Sequence, residues 1–250
     1  MKRWSRVRKV FTAILLLFVI LGAGGSAYWN SQTYRASDLA LQALQSDERV
    51  VVTQVDGLIT FEPVQTQASI GFVFYPGAGV DYRAYAPVLR LIAARGYFVA
   101  LVPFPLNLAF FNTNAAADVM DRFPDIDVWV VGGHSLGGVA AGTFAANHPD
   151  VVDGLIYFAS YPANDDLRMT MVKVVSIYGT NDGLATPEMI DESKMLLPAD
   201  AVFVPVEGGN HSQFGSYGLQ SGDNAAAIPA DEQWAQIADA AVQFFEMLIR

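Results

Sequence analysis

The chain contains no cysteine. Disulfides, thiolate metal sites and cysteine nucleophiles are excluded at once. Histidine is scarce: there are three in 250 residues. They are scattered without the carboxylate spacing a metal site needs, so neither a metal nor a cofactor is expected. Basic side chains are also few and unevenly placed. Of the 15 Lys and Arg, five (Lys2, Arg3, Arg6, Arg8 and Lys9) open the chain, and the rest of it carries all 25 Asp and Glu. An acidic body excludes nucleic acid as an expected partner, because phosphate binding needs clustered Lys and Arg. It also disfavours electrostatic docking on anionic lipid. No internal repeat or low-complexity tract is visible.

Charge is absent altogether from Val10 to Tyr34, "VFTAILLLFVILGAGGSAYWNSQTY". About 20 apolar residues cross a bilayer core. Basic residues ahead of the stretch hold the N-terminus in the cytoplasm and send the rest outside. Tyr28 and Trp29 suit the far interface. Residues 1–34 are therefore expected to be a single-pass membrane anchor, with the body outside the cytoplasm. The alternative is a cleaved signal peptide cut after Ala27, giving a secreted body. Residues 35–48 read as a short polar connector, and residues 49–250 as one domain with enough apolar content for a sizeable core.

From Arg49 onward, strand and helix patterns alternate. "RVVVTQV" and "LITFEPV" flank Asp56-Gly57, a hairpin dipeptide. "IGFVFYP", "YFVALVPF", "DVWVVGG", "DGLIYFAS", "VKVVSIYG" and "AVFVPVE" read as further strands. Helices are expected over 81–96, with Tyr85, Val88, Leu89 and Ile92 on one face, and over 107–122, 136–148, 187–197 and 231–249. In the last of these, Trp234, Ile237, Ala241, Phe245 and Leu248 face inward. Val- and Ile-rich strands between helices imply an α/β architecture: a mostly parallel sheet covered on both faces, with the opening hairpin as an antiparallel edge. Ligands in such sheets sit beyond the carboxyl ends of the strands.

At one of those ends stands Gly133-His134-Ser135-Leu136-Gly137. A strand running directly into a helix needs a sharp turn, which lifts the central serine above the sheet at a helix N-terminus. The Leu136 N–H can there face an oxyanion. A serine hydroxyl needs a base. His134 is adjacent to the serine, and side chains diverge at such a turn. His148 ends the following helix and is expected to cap it. His211, in the loop "VEGGNHSQFG" after the last strand, is the base by position and elimination. Asp182, in "YGTNDGLATP" after the preceding strand, is the candidate orienting carboxylate. A second oxyanion donor is expected from Pro76-Gly77-Ala78-Gly79, with Ala78 first and Gly77 next.

The stretches "YPGAGVDYRAYAPVLRLIAARGY", "GGHSLGG", "YGTNDGLAT" and "GGNHSQFGSYGLQSGD" resemble the α/β-hydrolase superfamily, and within it the small alpha/beta hydrolase fold-5 type. The resemblance spans Tyr75 to about Asp223. It implies the α/β-hydrolase fold, serine-hydrolase chemistry and a triad of Ser135, Asp182 and His211. About ten residues, "ANDDLRMTMV", separate Ser160-Tyr161-Pro162 from the next strand, so no cap domain is expected, and the usual helix there is missing. The mouth is expected to be open. Loop 212–228, with Phe214 and Tyr217, would wall one side, and residues 103–111, with Phe104, Phe110 and Phe111, the other; these aromatics are equally expected as core or rim packing.

The expected activity is hydrolysis of a small-molecule acyl compound, a carboxylic ester first, through an acyl-enzyme on Ser135. The same machinery could serve an acyltransferase or a peptidase. A different class, a membrane-tethered binding protein without catalysis, would keep the fold alone.

Overall fold

The computed structural model describes residues 32–249. The apolar stretch expected to anchor the chain lies almost wholly outside them. Among the described residues, no helix is long and apolar enough to cross a membrane.

The chain runs through α1 (Asp38–Gln42), β1 (Val50–Val55), β2 (Leu58–Pro63), β3 (Ile70–Tyr75), α2 (Ala86–Ala93), β4 (Phe98–Leu101) and α3 (Ala115–Arg122). It continues through β5 (Val128–His134), α4 (Leu136–Asn147), β6 (Gly154–Phe158), β7 (Lys173–Gly179), α5 (Pro187–Ser193), β8 (Val202–Val206) and α6 (Ala230–Leu248). The eight strands form one sheet in the order β1-β2-β4-β3-β5-β6-β7-β8. β1 and β2 pair antiparallel, β2 meets β4 antiparallel, and every later pairing is parallel.

Side chains alternate across the sheet, because successive residues of a strand face opposite sides. In β3, Phe72 and Phe74 pack under α2 and α6 with Phe158, Ile237 and Phe245. Val73 and Tyr75 pack on the other face with Ala116, Val119, Ala140 and Phe144. Both faces are therefore dry, which is why the inner strands carry little polarity. The inward faces expected for α2 and α6 are buried, except that Leu248 is only half-buried. No helix stands between β6 and β7. That crossover is irregular, and Leu167 and Val172 plug it into the core.

Two stretches differ from the sequence reading. Residues 107–122 are not one helix. Short 3-10 turns at Pro105–Asn107 and Ala109–Phe111 precede α3. Leu106 and Asn107 both take left-handed φ, 56° and 53°. For leucine that conformation costs about 1–2 kcal/mol, and a tertiary bond from Gly79 N–H to Asn107 O at 3.1 Å helps to hold it. Residues 35–48 are packed into the domain rather than spanning a gap. Ala40 is buried, Ser37 caps α1 by accepting the Ala40 N–H, and Asp47 pairs with Arg90 of α2 at 2.6 Å.

Candidate active site

Ser135 sits between β5 and α4 with φ 52° and ψ −125°. A non-glycine residue persists there only when its surroundings over-determine it. Ser135 N–H donates to Phe158 O at 3.0 Å, and Ser160 Oγ donates to Ser135 O at 2.6 Å. The turn also needs the glycines on either side. A Cβ at Gly133 would strike Tyr75 O and Gly137, and one at Gly137 would strike the backbone of Tyr75 and Pro76. The loop after β3 thus lies directly against the start of α4.

That loop presents the expected oxyanion donors, and they are not equivalent. Gly77 N–H already donates to the Tyr85 hydroxyl at 3.0 Å. The Ala78 N–H has no acceptor among the described residues, nor has the Leu136 N–H at the first position of α4. The Leu136 N–H lies where the α4 dipole favours negative charge.

Asp182 and His211 meet at 2.9 Å, Oδ2 to Nδ1, and both are buried. The other carboxylate oxygen, Oδ1, accepts the Leu184 and Ala185 N–H groups at 2.7 Å each. The carboxylate is therefore fixed in rotation, and it fixes the ring. His211 Nε2 is buried and makes no hydrogen bond. Nor does the Ser135 hydroxyl among the described residues, so the structure brings Asp182 to His211 but records no Ser135–His211 bond. His148 stays out of the site: its Nδ1 lies 2.9 Å from Phe144 O at the end of α4, and its ring stacks on Phe144.

Several residues that shape the site escaped the sequence reading. Asp223 clamps two loops: it accepts the Gly183 N–H at 3.0 Å, the Ser212 N–H at 2.8 Å and the Ser212 hydroxyl at 2.5 Å. Gln233 of α6 is buried and grips the residue before His211, accepting the Asn210 N–H at 3.0 Å and donating to Asn210 O at 2.8 Å. A glutamine beside Trp234 on the apolar face of a helix was the available signal. Phe214 and Tyr217, for which wall and core packing were both open, are buried. Phe214 is fully buried, stacked on His134 with centroids 5.6 Å apart. Loop 212–228 contributes Gln213, Tyr217, Leu219 and Ala225 to a cavity of about 390 Å³ that reaches Trp234 and is lined by neither Ser135 nor His211.

His134 fills the space beneath His211, with ring centroids 4.4 Å apart. Its Nδ1 lies 2.8 Å from the buried Tyr85 hydroxyl. That hydroxyl accepts from Gly77 and must place its own proton, so it donates to Nδ1, and His134 carries its proton on Nε2. Burial, and then the neighbouring His211 imidazole, push His134 well below its ordinary value of 6.5. The unfolded chain therefore takes up this proton first as pH falls. Stability that is full above about pH 6.5 declines below it, by up to about 1.4 kcal/mol per pH unit. Urea midpoints at pH 7 and pH 5 check this: wild type should lose more than His134→Asn, and a parallel loss would refute it.

Strand order and the turn at Ser135 together define the class, an α/β-hydrolase, with no cap domain among the described residues. The chain belongs to the alpha/beta hydrolase family, whose model matches residues 71–235. Similar solved structures include MGS-MChE2, an alpha/beta hydrolase enzyme from the metagenome of lagoon sediments of Mar Chica, Morocco (16% identity, TM-score 0.60, 78% of this chain and 99% of that one). Est1E from Butyrivibrio proteoclasticus is similar at 13% identity and TM-score 0.56, over 80% of this chain and 99% of that one. A soluble variant of monoglyceride lipase from Saccharomyces cerevisiae is similar at 11% identity and TM-score 0.60, over 82% and 96%. At such identities the likeness is one of fold. No curated protein matches the chain.

Proposed function

We propose that this protein is a serine hydrolase of carboxylic esters. The observation that carries the reading is the buried Asp182–His211 pair, whose outer nitrogen has no partner, on the same sheet edge as a strained serine at a helix N-terminus. His211 Nε2 takes the Ser135 proton as Oγ attacks the ester carbonyl, a hydrogen bond that closes when substrate binds. Asp182 holds the Nδ1–H tautomer and stabilises the imidazolium. The Leu136 and Ala78 N–H groups receive the oxyanion. The C–O bond breaks, and the leaving alcohol takes its proton from His211. Water, deprotonated by His211, then releases the acid and restores Ser135.

The uncharged stretch 10–34, preceded by five basic residues, supports a membrane anchor with the domain outside the cytoplasm.

Turnover of p-nitrophenyl esters of increasing chain length tests the catalytic reading, together with mass-spectrometric mapping of fluorophosphonate adducts. Hydrolysis with the adduct on Ser135 is expected. No turnover and no adduct would leave the fold with a binding role instead.

A further inference from the structure

Tyr34 closes the uncharged stretch and opens the folded domain. Its backbone is bonded into the loop that carries Ala78: Tyr34 N–H donates to Gly79 O at 2.8 Å, and Asp81 N–H donates to Tyr34 O at 2.8 Å. Its side chain reaches the loop that follows His211. The Tyr34 hydroxyl accepts the Ser221 N–H at 2.9 Å, and its ring lies 5.7 Å from that of Tyr217. The chain therefore enters the domain between the two loops that flank the candidate site, a few residues past Trp29.

Gly79 carries the connection further. It accepts from Tyr34 on one side and donates to Asn107 O on the other. The loop after β4 is thus joined to the entry point through a single residue. That loop exposes Leu106 at 48%, Phe110 at 53% and Phe111 at 61%, and Leu136, next to Ser135, is 36% exposed. Three large apolar side chains within six residues, one of them on left-handed backbone, form a patch of the kind that marks an interaction surface. Charge narrows the partner. The domain is acidic, so it repels nucleic acid and anionic lipid, and an electrically neutral apolar surface remains.

We propose that the rim of Leu106, Phe110 and Phe111 docks on the bilayer that holds the N-terminal stretch, and that the substrate is a neutral, membrane-partitioned acyl ester passed from that bilayer to Ser135. The proposal rests on the ester-hydrolase and anchor readings above. Water is the co-reactant, and the products are a carboxylic acid and the released alcohol. An anchor alone would tether the domain at any tilt. Docking of the rim would fix that tilt.

The full chain is assayed on a long-chain umbelliferyl ester dispersed in phosphatidylcholine vesicles and on soluble p-nitrophenyl butyrate. The double variant Phe110→Ser/Phe111→Ser should lower the ratio of vesicle-ester to butyrate turnover by about threefold or more. Equal losses, or none, overturn the proposal. Docking is read independently of turnover. The chain lacks cysteine, so Asn112→Cys, beside the rim, and Gln65→Cys, at the opposite end of the sheet, each offer one site for an environment-sensitive fluorophore. On vesicles, the label at position 112 should shift to the blue and be quenched by spin-labelled lipid, while that at 65 should not. Absence of this contrast overturns docking even if ester turnover is intact. Vesicle contrast without turnover or Ser135 labelling refutes the hydrolase reading and with it the assigned substrate. A dimer dissociated by the double variant, without lipid quenching, identifies the rim as a self-association face and overturns the proposal.

Discussion

On the proposed mechanism, Ser135→Ala and His211→Ala should each lower kcat for p-nitrophenyl butyrate by on the order of 10⁶, and the double variant should be scarcely worse than either. The reason is that the two groups act as one unit: without the base the hydroxyl is a weak nucleophile, and without the hydroxyl the base has nothing to activate. The Leu136 and Ala78 N–H groups survive both changes, so a residual rate of about 10³–10⁴ over water remains. Ser135→Ala keeps the backbone bonds to Phe158 and Ser160, which hold the turn. An unfolding curve close to wild type should therefore accompany the loss. Additive losses in the double variant would show that the two side chains work separately and would refute the triad.

Asp182→Asn should be the second large effect, about 10⁴ in kcat, and here the direction follows from the site itself. Oδ1 accepts two backbone N–H groups, from Leu184 and Ala185. Only the amide oxygen of an asparagine can face two donors. Its NH₂ group must then point at His211 Nδ1, which has to become an acceptor. The imidazole proton moves to Nε2, the nitrogen that must be free to take the Ser135 proton. Imidazole nitrogen NMR should show the tautomer exchange, and fluorophosphonate labelling should slow in proportion. Activity within about tenfold of wild type would show that Asp182 does not set the tautomer. Asp182→Ala is less diagnostic, because it also leaves two buried N–H groups unpaired.

The strands were legible because a sheet buried on both faces needs runs such as "IGFVFY" and "VWVVGGH", which carry little polarity and end in turn residues. The end of α2 was marked by Gly96, at φ 104°. The loop after β4 was not legible. "PLNLAFF" has the apolar content of a helix, but Asn107 is bonded to Gly79, twenty-eight residues earlier, and local pattern carries no trace of that bond. The place of Phe214 was left open for a related reason. In sequence it is an aromatic in a loop after the candidate base, while in space it lies under His134 in the core. Asp223 and Gln233 were missed because the loops they tie down lie at least eleven residues away in sequence.

By itself the sequence determined the order of strands and helices, and which chemistry-bearing residues follow which strand. Both are set by local quantities: the periodicity of burial, the turn residues, and the glycines around Ser135. Only the tertiary structure decided which of two adjacent amides is free. Gly77 N–H is spent on Tyr85, and Ala78 N–H is not. It also decided that His134 stays neutral between Tyr85 and His211, and that Tyr34 ends the uncharged stretch against both loops of the site. A hydrogen bond and a desolvated ring depend on what other segments bring near them, and that is settled only when the sheet closes those segments together.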